Sequence, residues 1–163
     1  MEANVGIEEE ISDYERERGK PLPGVFHAFV QMNLIYQLSR SDKEKYEFLP
    51  ELNIDLNGYR AVPDITIFDK NEPFLHSKID IEWVTAVPFV TIEISAPKQS
   101  IHSLIVRAEE YLKRGVQEAW VIVAEIGTLT VCKPHQKRRT YVSGRIVHEQ
   151  SGAVISVEEL FTE

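Results

Sequence analysis

Cysteine is almost missing: Cys132 stands alone among 163 residues, so no disulfide can close within the chain and no thiolate cluster can hold zinc. Long apolar runs are missing too. No stretch approaches the roughly 18 consecutive apolar residues of a membrane-spanning helix, and the first twenty residues, rich in Glu and Arg, lack the apolar segment of a secretory signal. A reducing cytoplasm is the expected setting. Positive charge is in deficit: 18 Lys plus Arg against 26 Asp plus Glu give a formal −8, which opposes strong non-specific attraction to phosphate backbones and leaves nucleic-acid contact to local patches. No internal repeat or low-complexity tract is visible. What is present, 43% hydrophobic residues at this length, is enough for one packed core and not for two. A single domain over 1–163 is expected.

Along the chain, Ile7, Ile11 and Tyr14 recur at helical spacing, which predicts a peripheral helix over 7–18 with one narrow apolar stripe. Gly19-Lys20-Pro21-Leu22-Pro23-Gly24 ends it, because prolines and glycines deny a helix its donors and its backbone bias. From 25 to 38, Phe26, Phe29, Val30, Leu34 and Leu38 step by threes and fours, and Val25, Met32 and Ile35 widen that stripe. This predicts a second helix, mostly buried and partly against another subunit. Segments 48–56 and 59–68 flank Asn57-Gly58, a dipeptide suited to tight turns, and predict one β-hairpin. The stretch 69–85 has no sustained period and predicts a surface excursion. In 89–95, Val90, Ile92 and Ile94 alternate with Thr91, Glu93 and Ser95, the period of a strand.

Pro97 stops that strand, Ser100 is an N-cap, and Ile101, Leu104, Ile105, Ala108, Tyr111 and Leu112 form a helical apolar face ending at Gly115. Ala-Trp-Val-Ile-Val-Ala at 119–124 lacks alternation, as expected of a central strand covered on both faces. Strands near 129–133 and 141–147 and a short cap at 157–161 complete the reading. The order predicts an α/β fold, a mixed sheet with helices packed on it.

Two carboxylates are out of place. Asp64 follows Pro63 within Ala61-Val62-Pro63-Asp64-Ile65-Thr66-Ile67, and Glu93 sits mid-strand between Ile92 and Ile94. A buried carboxylate must be paired, protonated or bound to a cation. Mg²⁺ needs only one or two protein carboxylates and keeps several waters, so Asp64 and Glu93, joined by the Ile94 backbone carbonyl, form one candidate site. Structural salt bridges to Arg60, Lys98 or Arg107 form the other reading, and spacing alone does not separate the two.

Val62-Pro63-Asp64-Ile65-Thr66-Ile67, then Val90-Thr91-Ile92-Glu93-Ile94-Ser95, then a helix leading to Tyr111 and Gly115-Val116-Gln117-Glu118-Ala119-Trp120-Val121-Ile122, resemble the bacterial Uma-two family. That family belongs to the PD-(D/E)XK nuclease superfamily and is described as restriction endonucleases. The resemblance runs from about Tyr14 to Val131. It implies a restriction-endonuclease-like sheet and a metal-dependent nuclease (Mg²⁺ or Mn²⁺) acting on DNA, with Asp64 and Glu93 as metal-binding acids. The superfamily's lysine two residues after the Glu is here Ser95. The family's substitute, a lysine four residues before the helix tyrosine, is here Arg107, which keeps the charge but is a poor proton acceptor. Arg107 is therefore expected to point toward Glu93. These departures keep open a second reading, a degenerate module that binds nucleic acid or a protein.

His27 matches a family histidine at the start of the second helix, although a lone helical His is more often a packing residue. Glu51 faces the same cleft or is an exposed strand charge, and Ser95 and Lys98 are further accessory candidates. Lys133, His135, Lys137, Arg138 and Arg139 cluster at a turn and either contact phosphates or form a solvated hairpin tip. Trp83 is placed to stack on a base, and Trp120 to pack in the core. The apolar breadth of the second helix predicts a homodimer, in which two sites would suit the two strands of a duplex.

Overall fold

A computed structural model describes residues 11–41 and 43–162. The order is α1 (Asp13–Arg18), α2 (Val25–Arg40), β1 (Tyr46–Pro50), β2 (Ile54–Leu56), β3 (Tyr59–Ala61), β4 (Ile65–Asp69), β5 (Val90–Ile94), α3 (Ile101–Leu112), β6 (Glu118–Val123), β7 (Thr128–Cys132), β8 (Arg139–Tyr141), β9 (Arg145–Val147) and β10 (Val154–Ser156). The main sheet runs β1-β4-β5-β6-β7-β8. Among the described strands of this sheet only β5 and β6 are parallel, and α3 makes the crossover between them, as a parallel pair requires.

Period-two alternation divides the core in two. On β5 and β6, Val90, Ile92, Ile94, Trp120 and Ile122 face α2, packing with Val30, Leu34 and Leu38 and with the β9–β10 hairpin. Ala119 and Val121 face α3 and pack with Leu104, Ala108 and Tyr111. On the α3 side of β4 and β5, Phe68 joins the apolar cluster, but nearer the other end the alternate positions are polar: Thr66 stands opposite Thr91. Continuing that register by one residue brings Asp64, just before β4, opposite Glu93.

The 7–18 helix begins later than expected. Ser12 caps α1 in a box with Glu15, and the expected part at 7–10 lies outside the described residues. Gly19 closes α1 at φ 67°, a left-handed conformation that glycine adopts without side-chain strain. The chain reverses there, turning Lys20 inward.

The single long hairpin is corrected to two ladders. Asn57-Gly58 does join β2 and β3 with positive φ at both residues. β1 pairs β4 within the main sheet, and β2–β3 forms a sheet of its own. Pro50 followed by Glu51 at φ 54°, and Pro63 in the returning segment, break each run, since proline gives a ladder no N–H. The expected strand at 141–147 likewise divides into β8 and β9 around Gly144, and β9 pairs with the unforeseen β10. The stripe assigned to α2 is also corrected. Val30, Leu34 and Leu38 are buried, but Val25, Phe26, Phe29, Met32 and Tyr36 are exposed, at 55 to 70%. Both faces of α2 are apolar, so periodicity alone does not identify the inner one.

Candidate active site

The edge register places Asp64 and Glu93 side by side, both essentially inaccessible to solvent. A single ammonium connects them: Lys20 Nζ donates to Asp64 Oδ1 at 2.8 Å and to Glu93 Oε2 at 3.3 Å. The other oxygens are occupied as well. The Ile94 N–H donates to Asp64 Oδ2 at 2.7 Å. Glu93 Oε1 accepts from the Tyr111 hydroxyl at 2.6 Å and from Arg107 Nε and NH2 at 3.2 and 3.1 Å. Sequence separations of 44 and 73 residues from Lys20 to the two acids show that three distant segments meet here.

His27, on the first turn of α2, sets Nε2 3.0 Å from Asp64 Oδ1. Gly24 permits this docking, because a Cβ there would stand 2.6 Å from Pro97 Cγ, so α2 begins tight against the loop after β5. Arg18 pairs with Glu51 at 2.6 Å and approaches Asp64 Oδ1 at 3.6 Å. Gln31 donates to Glu51 Oε1 at 3.1 Å. Three acids, Glu51, Asp64 and Glu93, thus face three cations, Arg18, Lys20 and Arg107.

Burial by itself would raise the Asp64 pKa, but the His27 hydrogen bond and the Lys20 charge outweigh it and hold the carboxyl at about 2. Asp64 is therefore ionised at neutral pH. Burial works against the Arg107 charge, yet Glu93 more than compensates and raises its pKa. Tyr111 is raised well above the usual phenol range, first by burial and then by the Glu93 charge, so it remains a donor.

Of the sequence candidates, Asp64, Glu93, Arg107, His27 and Glu51 come together. Ser95 does not join them: its hydroxyl accepts the Ala124 N–H at 2.9 Å. Lys98 is exposed at φ 65° and its charge acts on Glu15. Arg60 pairs with Asp55 at 3.1 Å and lies over the Trp83 ring, which is half-buried. Trp120 is buried in the core, with Nε1 donating to Glu118. In the basic cluster, Lys133 pairs with Glu118 and Arg138 with Glu109 on α3. Lys20 and Arg18 escaped the sequence reading. Lys20 lies in a Gly/Pro segment without period, where only a cation beside restrictive residues marks it.

The donor set suits a hard cation. Two carboxylate oxygens, Asp64 Oδ1 and Glu93 Oε2, already share one positively charged nitrogen, the kind of partner that a hard cation can replace. Among the described residues no cluster of three or more His, Cys, Asp or Glu side chains forms a fuller cage, so an ion would rest on two acids with water and backbone oxygen, as Mg²⁺ tolerates. No helix among them is long and apolar enough to cross a membrane.

The family profile of Uma2, described as "Putative restriction endonuclease", matches residues 6–163. A crystal structure described as "a putative nuclease belonging to DUF820", from Anabaena variabilis ATCC 29413, superposes with a TM-score of 0.71 at 24% identity. The match covers 86% of this chain and 83% of that one, and it establishes likeness of fold. Comparison with curated proteins finds no match.

Proposed function

We propose, from the premise that the chain belongs to the Uma2 family, that it is a metal-dependent nuclease hydrolysing phosphodiester bonds in DNA. The observation carrying this reading is the convergence of Asp64 and Glu93 on one cation, Lys20 Nζ. Asp64, Glu93 and the Ile94 carbonyl would hold Mg²⁺ or Mn²⁺, which when bound supplies charge that polarises a phosphodiester and acidifies water. The chain's own groups do the rest. His27 and the Ile94 N–H fix the Asp64 carboxylate, Tyr111 and Arg107 fix that of Glu93, and Arg107 places positive charge where negative charge develops.

The test is cleavage of plasmid DNA with Mg²⁺ or Mn²⁺ by the wild type and by Asp64→Asn and Glu93→Gln. Activity that survives in either variant overturns this assignment. A second reading, a degenerate module binding nucleic acid or a protein, draws on two observations: Ser95 is tied to Ala124, and Arg107 Nε and NH2 are engaged with Glu93 and Tyr111. Under that reading Mg²⁺ leaves the melting temperature unchanged, whereas a two-acid metal site raises it. We further propose a homodimer through the exposed Val25, Phe26, Phe29, Met32 and Tyr36 stripe, tested by sedimentation at micromolar concentration. A species of 18.7 kDa alone counts against it.

A further inference from the structure

We infer that Lys20 is a tethered competitor for the metal site, so that a divalent ion loads only as the Lys20 ammonium gives up Asp64 Oδ1 and Glu93 Oε2. The inference rests on the metal-site reading above and adds a resident cation that the ion must displace. Three observations carry it. The ammonium touches one oxygen of each acid, at 2.8 and 3.3 Å, and the remaining oxygens face the Ile94 N–H, Arg107 and Tyr111. Asp64 Oδ1 also meets His27 Nε2 at 3.0 Å and Arg18 at 3.6 Å, whereas Glu93 Oε2 meets Lys20, so the oxygens an incoming ion takes are the two that Lys20 bridges, and Glu93 Oε2 is the one its departure exposes. The Lys20 side chain is 4% exposed, so its charge is held inside and is not a surface ammonium resting nearby. Finally, three cationic side chains, Arg18, Lys20 and Arg107, already offset three acids, Glu51, Asp64 and Glu93, before any charge on His27 is counted. Adding a divalent charge to a closed set would leave two uncompensated positive charges in a buried place, where like charges repel strongly. Release of Lys20 halves that excess.

Lys20 can leave without unfolding the sheet. It belongs to the short segment between α1 and α2, outside every strand, and its withdrawal breaks no backbone ladder.

Calorimetric titration with Mn²⁺ alone tests the idea without reference to cleavage. Lys20→Gln is expected to bind Mn²⁺ at least tenfold more tightly than wild type, and Lys20→Arg, which keeps a cation, within about threefold of it. Adding Glu93→Gln to Lys20→Gln should abolish the gain. Equal or weaker binding by Lys20→Gln overturns the competition while leaving the metal site standing. Absence of Mn²⁺ binding in wild type and Lys20→Gln alike overturns the metal-site reading itself. Should Lys20→Gln fail to fold, the unmodified protein still decides the matter: reductive methylation of Lys20, followed by mass spectrometry, should accelerate when Mn²⁺ is added. Unchanged or slower labelling at saturating Mn²⁺ overturns the proposal.

Discussion

Two groups of charges organise this molecule by opposite rules. At the Asp64–Glu93 centre every cation has a carboxylate partner, and all participants except the exposed Glu51 are wholly or largely buried. At the β7–β9 edge, Lys133, Lys137, Arg139 and Arg145 line a cavity of about 230 Å³, and among the described residues only Lys133 has an acidic partner, Glu118. Burial explains the difference. A desolvated charge without a counter-charge is strongly unfavourable, whereas an exposed one is satisfied by water and gains little from pairing. Charge balance therefore maintains the fold at the first place and is optional at the second. Unpaired cations at the edge remain available to an external anion, in a chain whose formal charge is −8.

The sharpest way to break this contrast is to remove one acid from the balanced centre. Glu93→Ala strands Arg107 and leaves Lys20 with Asp64 alone, and a broken buried ion pair loses about 3 to 5 kcal/mol; urea unfolding should show a loss of that order. A change under about 1 kcal/mol would mean that water reaches the centre and screens it as it does the edge.

Arg107 comes next. Arg107→Ala removes two charge-assisted hydrogen bonds to Glu93 and is expected to lose about 2 to 3 kcal/mol. Arg107→Lys keeps the charge and should lose about half as much. Under the nuclease reading the lysine variant also cleaves DNA faster than wild type with Mg²⁺, and the alanine variant not at all. Equal destabilisation by both changes, with no cleavage in either, favours the degenerate module.

Edge substitutions should behave in the other way. Combined Lys137→Glu, Arg139→Glu and Arg145→Glu are expected to shift stability by less than about 0.5 kcal/mol per site, as exposed changes do. If the edge holds phosphates, the salt dependence of duplex binding, followed by fluorescence anisotropy, becomes shallower by about one unit for each contact removed. An unchanged slope leaves the edge as a solvated hairpin tip.

The smallest effect concerns His148, the buried group beside that edge. Its Nδ1 accepts the Ser151 N–H at 3.2 Å, and Nε2 lies 3.1 Å from Gln117 Oε1. Burial, above all, lowers its pKa from 6.5. The unfolded chain therefore takes up the proton first. The stability His148 contributes is complete above its unfolded pKa of about 6.5 and is lost as pH falls below it. Urea midpoints at pH 7 and pH 5 should converge on His148→Gln substitution. An unaltered pH slope would show that the ring is already protonated or already solvated.

Periodicity made part of this molecule legible. β5, α3 and β6 carry regular apolar patterns, and Ser100 marks the start of α3 as read, because those residues answer to local geometry and to a face. Asp64 and Glu93 stood out for the same reason, as breaks in a pattern. Lys20 breaks no pattern: its importance arises from a meeting of segments 44 and 73 residues apart, which no window of sequence contains. Phe26 and Phe29 misled in the complementary way, since a helix apolar on both sides gives no local sign of which side the sheet covers. The division of the long hairpin followed from Pro50 and Pro63, whose missing N–H groups were in view but outweighed by the Asn57-Gly58 turn.

The distances along the chain at the acidic centre also set what each of its contacts costs in chain entropy. Pairing of β4 with β5 sets two carboxylates side by side, and the contact of α3 with β5 is comparatively local, Arg107 being 14 residues from Glu93. Lys20 closes a loop of 73 residues to reach the same acid, at a larger entropic cost than the local contact. On a ribosome, Lys20 emerges first and waits for Glu93 to follow. The innermost counter-charge of the centre is thus the one whose contact closes the longest stretch of chain.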